Sequence, residues 1–313
     1  MELPLISVII VTWNRKKDIL DTVQSIYDQT YQNVEIIVVD NGSIDGTPEA
    51  VRQTYPQVRL VALSRNAGAT GGRNAGISIA RGDILFLLDS DASLHHNTLS
   101  KIAHKFQVEP DLGIIGCKVI NAYSNQLDGA EGWIFAEKDK AEQDLEFLSY
   151  SFGETGSAVR KQVLDQVGPF WDMLFFGREG DDLSLRAWDA GYQVRYYPEA
   201  VVYHRVSPLK RVIGGEREYY DLRNSLYIYL VRYPWWMLLG FVPLKVGTSL
   251  IKGIRRGYLP HILLALRDVA RQLSSLWKQR QPISNQTALY YMTLQRQHGP
   301  LKWDLMSWLR YKT

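Results

Sequence analysis

Four apolar, β-rich runs stand in the first ninety residues: LISVIIVTW (5–13), VEIIVVD (34–40), VRLVAL (58–63) and DILFLLD (83–89). Nearly unbroken apolar character over so few residues is what a parallel strand covered on both faces requires. Between the runs the pattern switches to helical spacing. Residues 15–30 place Ile19, Leu20, Val23 and Ile26 on one face, and residues 65–81 pass from a glycine-rich loop into a helix. Thr47-Pro48-Glu49 offers an N-cap, a proline at N1 and an acidic first turn. This βαβαβαβ alternation predicts a doubly wound, Rossmann-like α/β sheet, with ligands beyond the carboxyl ends of its strands. Asp40 and Asp89 fall at two of those ends.

The rest of the chain is less regular. IIGCKVI reads as a strand, EKDKAEQDLE (137–146) as a solvated loop or helix, and SAVRKQVLDQV, from Gly156, as a helix. YQVRYYPEAVVYH (192–204) reads as two short strands ending in His204. Beyond residue 209 the composition changes. Residues 1–209 hold 19 Lys and Arg against 28 Asp and Glu, a net of −9, whereas residues 210–313 hold 17 against 5, a net of +12. Such asymmetry predicts an anionic partner for the second part. YPWWMLLGFVPL (233–244) is uncharged, yet shorter than the roughly 20 residues that a spanning helix needs. Two prolines and Lys245 interrupt it. The tryptophan-rich, basic segment that follows suits a helix lying in the interface of an anionic membrane. A helical hairpin packed on the first part or on a second copy, in a homo-oligomer, is the alternative. Nothing resembles a nucleic-acid module.

The single cysteine, Cys117, excludes an intramolecular disulfide and a four-cysteine zinc site. The start MELPLISVII lacks the basic region of a signal peptide, so a cytoplasmic protein, peripheral at the inner face of the membrane, is expected.

Two motifs carry chemistry. GATGGRNAG (68–76) has neither the spacing of a dinucleotide fingerprint nor the Gly-Lys of a phosphate loop. By itself it reads as glycines that let a helix approach a sheet, with Arg73 and Asn74 at the helix start as donors for an anion. Asp89-Ser90-Asp91 follows a core strand directly. Carboxylates beside a core need a partner. Mg²⁺ or Mn²⁺ bridging to a diphosphate would supply one, although aspartates also serve in ordinary turns.

In this order and spacing, ISVIIVTWNR, IIVVDNGSIDGT, RNAGATGGRNAGI, GDILFLLDSDA, REGDDLSLRAWDAGY and VVYH closely resemble glycosyltransferase family 2 over residues 5–230. YYDLRN and the basic tail resemble bacterial, rhamnosyltransferase-like members that make surface polysaccharides. The resemblance implies an inverting enzyme of GT-A fold. A catalytic domain over 1–209 (donor half about 1–95, acceptor half about 96–209) would carry a helical, amphipathic, basic extension over 210–313. It implies a UDP- or dTDP-sugar donor and a glycan or lipid-linked acceptor. Thr12, Asn14 and Arg15 would line the nucleotide pocket, and Asp40, beside Asn41, would accept N3–H of uracil or thymine. Asn66, Arg73 and Asn74 would approach ribose or phosphates. Asp89 would both bind the sugar nucleotide and, with Asp91, hold the metal, and His204 would complete the metal's ligands or touch the diphosphate. The acidic motif carries Gly180 where the base is expected, so Asp181, or else Glu179, would take that role, with Asp182 capping the helix. Trp171, Asp172 and Trp188 would line the acceptor side. Gly180 keeps open a non-catalytic sugar-nucleotide-binding scaffold, and paired carboxylates alone would also suit a nucleotidyltransferase.

Overall fold

The computed structural model describes residues 3–128, 134–135, 141–205 and 215–299. The first part alternates as expected: β1 (Ile6–Thr12), α1 (Lys16–Tyr27), β2 (Val34–Asp40), α2 (Thr47–Thr54), β3 (Arg59–Ala62), α3 (Gly68–Ile77) and β4 (Ile84–Asp89). The four strands lie parallel in the order β3-β2-β1-β4. Their apolar residues are buried on both faces, against two separate core clusters. The cap of α2 sits one residue earlier than expected. Gly46, at φ +81°, is the N-cap, and Asp45 Oδ1 accepts the Thr47 N–H at 3.1 Å.

The sheet then turns mixed. It adds β5 (Ala92–Leu94), α4 (Thr98–Val108), β6 (Leu112–Asn121), β7 (Phe147–Leu148), β8 (Gly156–Arg160), α5 (Lys161–Val167), α6 (Glu179–Asp189) and β9 (Gln193–His204). The full order is β3-β2-β1-β4-β8-β6-β9-β5, with β7 on β9. Two expectations are corrected here. Gly156–Arg160 is a strand rather than the start of a helix, because it fills the space between β4 and β6, antiparallel to both. A strand buried on both sides shows no alternation, so its small residues pass for helix. Residues 193–204 form one strand, not two. The register against β6 slips between Cys117 and Lys118, and the extra residues, Pro198 among them, bulge out without ending the pairing. Of the 137–146 segment, residues 141–146 are described. Glu146 there is ion-paired with Lys105 and Arg195 rather than freely solvated.

The expected boundary at 209/210 lies outside the described residues. After it come α7 (Gly215–Arg232), α8 (Trp235–Arg256), α9 (Leu259–Lys278) and α10 (Asn285–His298). These helices pack on the first part: one core cluster joins Leu174, Leu185 and Tyr196 to Leu226, Val231, Ile262 and Tyr291. α8 also corrects the expectation of a short apolar run. It is 22 residues long, passes through Pro243 and Lys245, and is long and apolar enough to cross a membrane by length and composition. Proline removes an N–H and leaves the carbonyl four residues back unpaired. That carbonyl belongs to Leu239, which is 81% exposed, so water can satisfy it. Lys245 is held by Asp221 at 2.6 Å.

Polar ties reinforce the seam. Asn224 Nδ2 donates to the carbonyls of Leu174, Phe176 and Gly177 at 2.7–3.0 Å. Asp182, 0% exposed, accepts from Arg186 of its own helix at 2.9 Å and from Arg232 of α7 at 2.8 Å. Asp182 therefore does more than cap α6. Burial alone would raise its proton affinity, but the two guanidinium groups outweigh that and hold it ionised. Replacing Asp182 by Ala should cost about 3–5 kcal/mol, because two buried cations lose their counter-charge. Urea unfolding checks this, and a loss below about 1 kcal/mol would show that the seam does not depend on the pair.

Candidate active site

The ends of β1 and β2 build the first half of the site. Thr12 and Asp40 are register partners on neighbouring strands, and both are buried. Asp40 Oδ2 accepts the Ser43 N–H at 3.0 Å and so closes the following turn. Asp40 Oδ1 and Thr12 Oγ1 have no hydrogen-bond partner among the described residues. Leaving a buried acceptor unpaired costs roughly 1–3 kcal/mol, which a ligand N–H would recover. Asn14, at φ +51°, clasps the two loops: its N–H donates to Ser43 Oγ and its Oδ1 accepts from Ile44, both at 2.8 Å. Asn41 donates to Asn66 Oδ1 at 3.0 Å and to the Gly68 carbonyl at 2.9 Å, and accepts the Ala67 N–H at 2.9 Å. Asn41 and Asn66 thus shape the turn that leads into α3.

The glycine-rich segment is helix from Gly68 onward, so Arg73 and Asn74 lie in its second turn and not at its start. The first amides of α3 are committed: Ala69 N–H donates to the Phe175 carbonyl at 2.7 Å. The glycines serve packing. A Cβ on Gly72 would stand 2.6 Å from Val11 Cγ1, and one on Gly76 2.4 Å from Ile9 Cγ2. This close approach carries Arg73 inward, where Nη1 meets Glu179 at 2.6 Å and Nη2 meets Asp89 at 3.4 Å. Asn74 faces elsewhere. It bonds the Phe170 carbonyl at 2.8 Å and Asp172 Oδ1 at 2.6 Å, pinning the segment before α6.

Pairing of β5 with β9 sets Ala92 opposite His204, which brings Asp91 beside the imidazole across 113 residues of chain. Asp89, Asp91 and His204 each offer a ligand atom, all within 4.8 Å of one another. His204 Nδ1 lies 2.7 Å from Asp128 Oδ2, and its Nε2 lies 3.6 Å from Asp91. Burial lowers the proton affinity of the ring, but Asp128 and Asp91 outweigh this and raise its pKa to about 10. A cation on Nε2 would replace that proton and satisfy the same carboxylates. Asp128 would then fix the tautomer from behind, as carboxylates do for ligating histidines. Burial and Asp91 raise the proton affinity of Asp89 against the pull of Arg73. Asp91 is held low by His204 and Arg15 despite its burial. Arg15 Nη2 stands 3.1 Å from Asp91 and Nη1 2.9 Å from Asp18. Two carboxylates and one imidazole suit Mn²⁺, which accepts nitrogen, better than Mg²⁺, which prefers oxygen throughout.

The acidic start of α6 divides its residues between two directions. Glu179 turns to Arg73. Asp181 pairs with Arg178 at 2.8 Å and lines a small cavity with Tyr229, Tyr233 and Tyr291. Trp171 and Trp188 belong to the seam: Trp171 Nε1 donates to Gln279 at 3.1 Å, and Trp188 lies edge-on to Tyr290. Asp172 holds Asn74. Two further residues reach the site without a sequence signal. They are Asp128, behind His204, and Glu154, whose Oε1 accepts the Gly180 N–H at 2.7 Å.

Residues 7–168 match the sequence model of the family described as Glycosyl transferase family 2. The chain is 30% identical over 267 residues to glycosyltransferase AglE of Haloferax volcanii, a span covering 81% of this chain and 86% of that protein. Over a shorter span, 39% of this chain and 45% of the relative, it is 35% identical to the UDP-Glc:alpha-D-GlcNAc-diphosphoundecaprenol beta-1,3-glucosyltransferase WfaP of Escherichia coli. Among solved structures, mannosyltransferase PcManGT from Pyrobaculum calidifontis, in complex with GDP-Man and Mn²⁺, shares the fold. Its TM-score is 0.56 at 22% identity, over 93% of this chain and 79% of that one.

If Asp128 orients His204 for a cation, Asp128→Asn should weaken Mn²⁺ binding roughly 10- to 100-fold. Calorimetric titration of Mn²⁺ measures this, and an unchanged affinity would remove Asp128 from the site.

Proposed function

The chain belongs to glycosyltransferase family 2, and from that membership we propose that it moves a sugar from a UDP- or dTDP-linked donor to a lipid-linked glycan, with a divalent cation at Asp89, Asp91 and His204. Membership in a family of transferases sets aside the scaffold and nucleotidyltransferase readings. The observation that carries the donor assignment is the unpaired Asp40 Oδ1, with Thr12 its register partner, within the same strand-end rim as the cation ligands. An acceptor carboxylate there suits the N3–H of uracil or thymine. Cytosine has no such N–H.

The residues then divide the work. Thr12 and Asp40 bind the base, and Asn14, Asn41 and Asn66 hold the loops around it. Bound Mn²⁺ would supply positive charge to the departing diphosphate. Asp128 keeps the Nε2 lone pair of His204 turned toward the ligand site. Arg15 stands next to Asp91 and supplies a second positive charge at the same edge. Arg73 holds Asp89 and Glu179 in place from beneath.

The lipid-linked acceptor gains support from the helical part. Trp235, Trp236, Leu239, Leu244, Ile251 and Ile254 of α8 are exposed, while Met237, Leu238 and Phe241 are buried. Glu218 and Asp221 of α7 pair with Lys252 and Lys245 on its protein-facing side. A helix tied to the protein by ion pairs, with an open apolar stripe and Arg255 and Arg256 at its end, fits a membrane surface carrying anionic lipid.

Two experiments test this reading. Thermal unfolding with Mn²⁺ and UDP, dTDP, GDP or CDP should show stabilisation by UDP or dTDP of roughly 4–8 °C at a hundredfold excess over Kd. Asp91→Ala should abolish it, and equal stabilisation by CDP would refute the role given to Asp40. In flotation, the protein should rise with phosphatidylglycerol vesicles but not with phosphatidylcholine vesicles, and Leu239→Glu with Ile251→Glu should release it. Equal binding to both vesicle types would remove the electrostatic part, and no binding to either would remove the surface.

A further inference from the structure

Transfer to a hydroxyl requires a group that takes its proton. With Asp182 locked between Arg186 and Arg232, the carboxylates left near the acidic turn of α6 are Glu179, Asp181 and Glu154. Glu179 is 3% exposed, with Oε1 committed to Arg73 at 2.6 Å. Asp181 is committed to Arg178 and turned toward the tyrosine-lined cavity under α7 and α10. Glu154 differs from both. It is half-buried, keeps part of its surface in solvent, and has no salt-bridge partner among the described residues.

Its position follows from the sheet. β8 runs antiparallel to β4 with Gly156 opposite Leu88, so the residues just before β8 stand beside those just after β4. Asp89 N–H donates to the Thr155 carbonyl at 3.3 Å, and Arg73 Nη2 approaches the Glu154 carbonyl at 3.4 Å. Glu154 therefore emerges at the rim that carries the cation ligands. It also occupies the place of a missing side chain. A Cβ on Gly180 would stand 2.9 Å from Glu154 Oε1 and 2.5 Å from the Phe152 carbonyl oxygen. The space that a residue at 180 would use is filled by the segment 152–154, and a carboxylate is delivered there from another element.

We propose that Glu154 is the base of the transfer reaction, standing in for the side chain that position 180 lacks. This rests on the sugar-nucleotide donor assigned above. Oε1 stays on the Gly180 N–H while Oε2 receives the proton. The acceptor O–H bond breaks and its oxygen bonds the anomeric carbon. The bond from that carbon to the diphosphate breaks, and the nucleoside diphosphate leaves with the electron pair. The proton passes from Glu154 to water afterwards. Burial and the neighbouring Glu179 charge, opposed by Arg73, raise the pKa of Glu154 to about 8, which gives the carboxylate the proton affinity that such a step uses.

The test is Glu154→Gln, which keeps an oxygen to accept from Gly180 and removes only the ability to take a proton. Release of nucleoside diphosphate from UDP-glucose, UDP-N-acetylglucosamine and dTDP-rhamnose is measured with Mn²⁺, with GlcNAc-diphosphoundecaprenol or water as acceptor. The proposal expects kcat to fall 10²- to 10⁴-fold, with donor KM and the UDP–Mn²⁺ thermal shift within about twofold of wild type. Retained turnover in Glu154→Gln, or its loss only in Asp181→Asn, would overturn the proposal and leave the donor reading standing. If wild-type protein released nucleoside diphosphate from none of the three donors and was not stabilised by UDP or dTDP with Mn²⁺, the donor reading would itself fail, and this proposal with it.

Discussion

Arg73 is the buried cation around which the acidic rim is assembled. It arises on α3 and reaches Glu179 of α6, Asp89 at the end of β4 and the carbonyl of Glu154. Without it, several carboxylates would stand close together at the edge of an apolar sheet, where ionisation is costly. Burial lowers its own proton affinity, but Glu179, Asp89 and Glu154 more than restore it. The glycines of α3 are what make this reach geometrically available, because the helix axis must lie close to β1 for the guanidinium to arrive beneath the rim. Glycine content, helix packing and site electrostatics are thus one feature seen at three scales.

Much of this was legible in the residues. The four parallel strands and the helices between them followed from local apolar runs and spacing. The convergence of Asp89 and Asp91 with His204, 113 residues beyond Asp91, followed only from the family resemblance. What escaped depended on partners distant in the chain. Gly156–Arg160 reads as helix until β4 and β6 are known to flank it. Pro198 suggests a break until the bulge is seen to absorb it. Pro243 and Lys245 suggest the end of a helix until the exposed Leu239 carbonyl and Asp221 account for them. Glu154 and Asp128 carry no motif, since each acts on a residue dozens of positions away.

The helical part is an integral wall of the protein. Its residues complete a core with Leu174, Leu185 and Tyr196, and its Arg232 shares Asp182 with Arg186 of α6. The exposed stripe of α8 lies on the far side of the same helices. Docking to a bilayer, as proposed above, would orient the catalytic rim through this packing.

Between Asp172 and Glu179 the backbone takes the left-handed region at Phe175, Gly177 and Arg178, and Asn224 grips three of its carbonyls from α7. The Phe175 carbonyl also seats the first turn of α3. One asparagine on the appended helices thereby governs the shape of a corner shared by both halves. Such a corner discourages modular recombination. A lineage exchanging its C-terminal helices for others would have to re-evolve this joint as well.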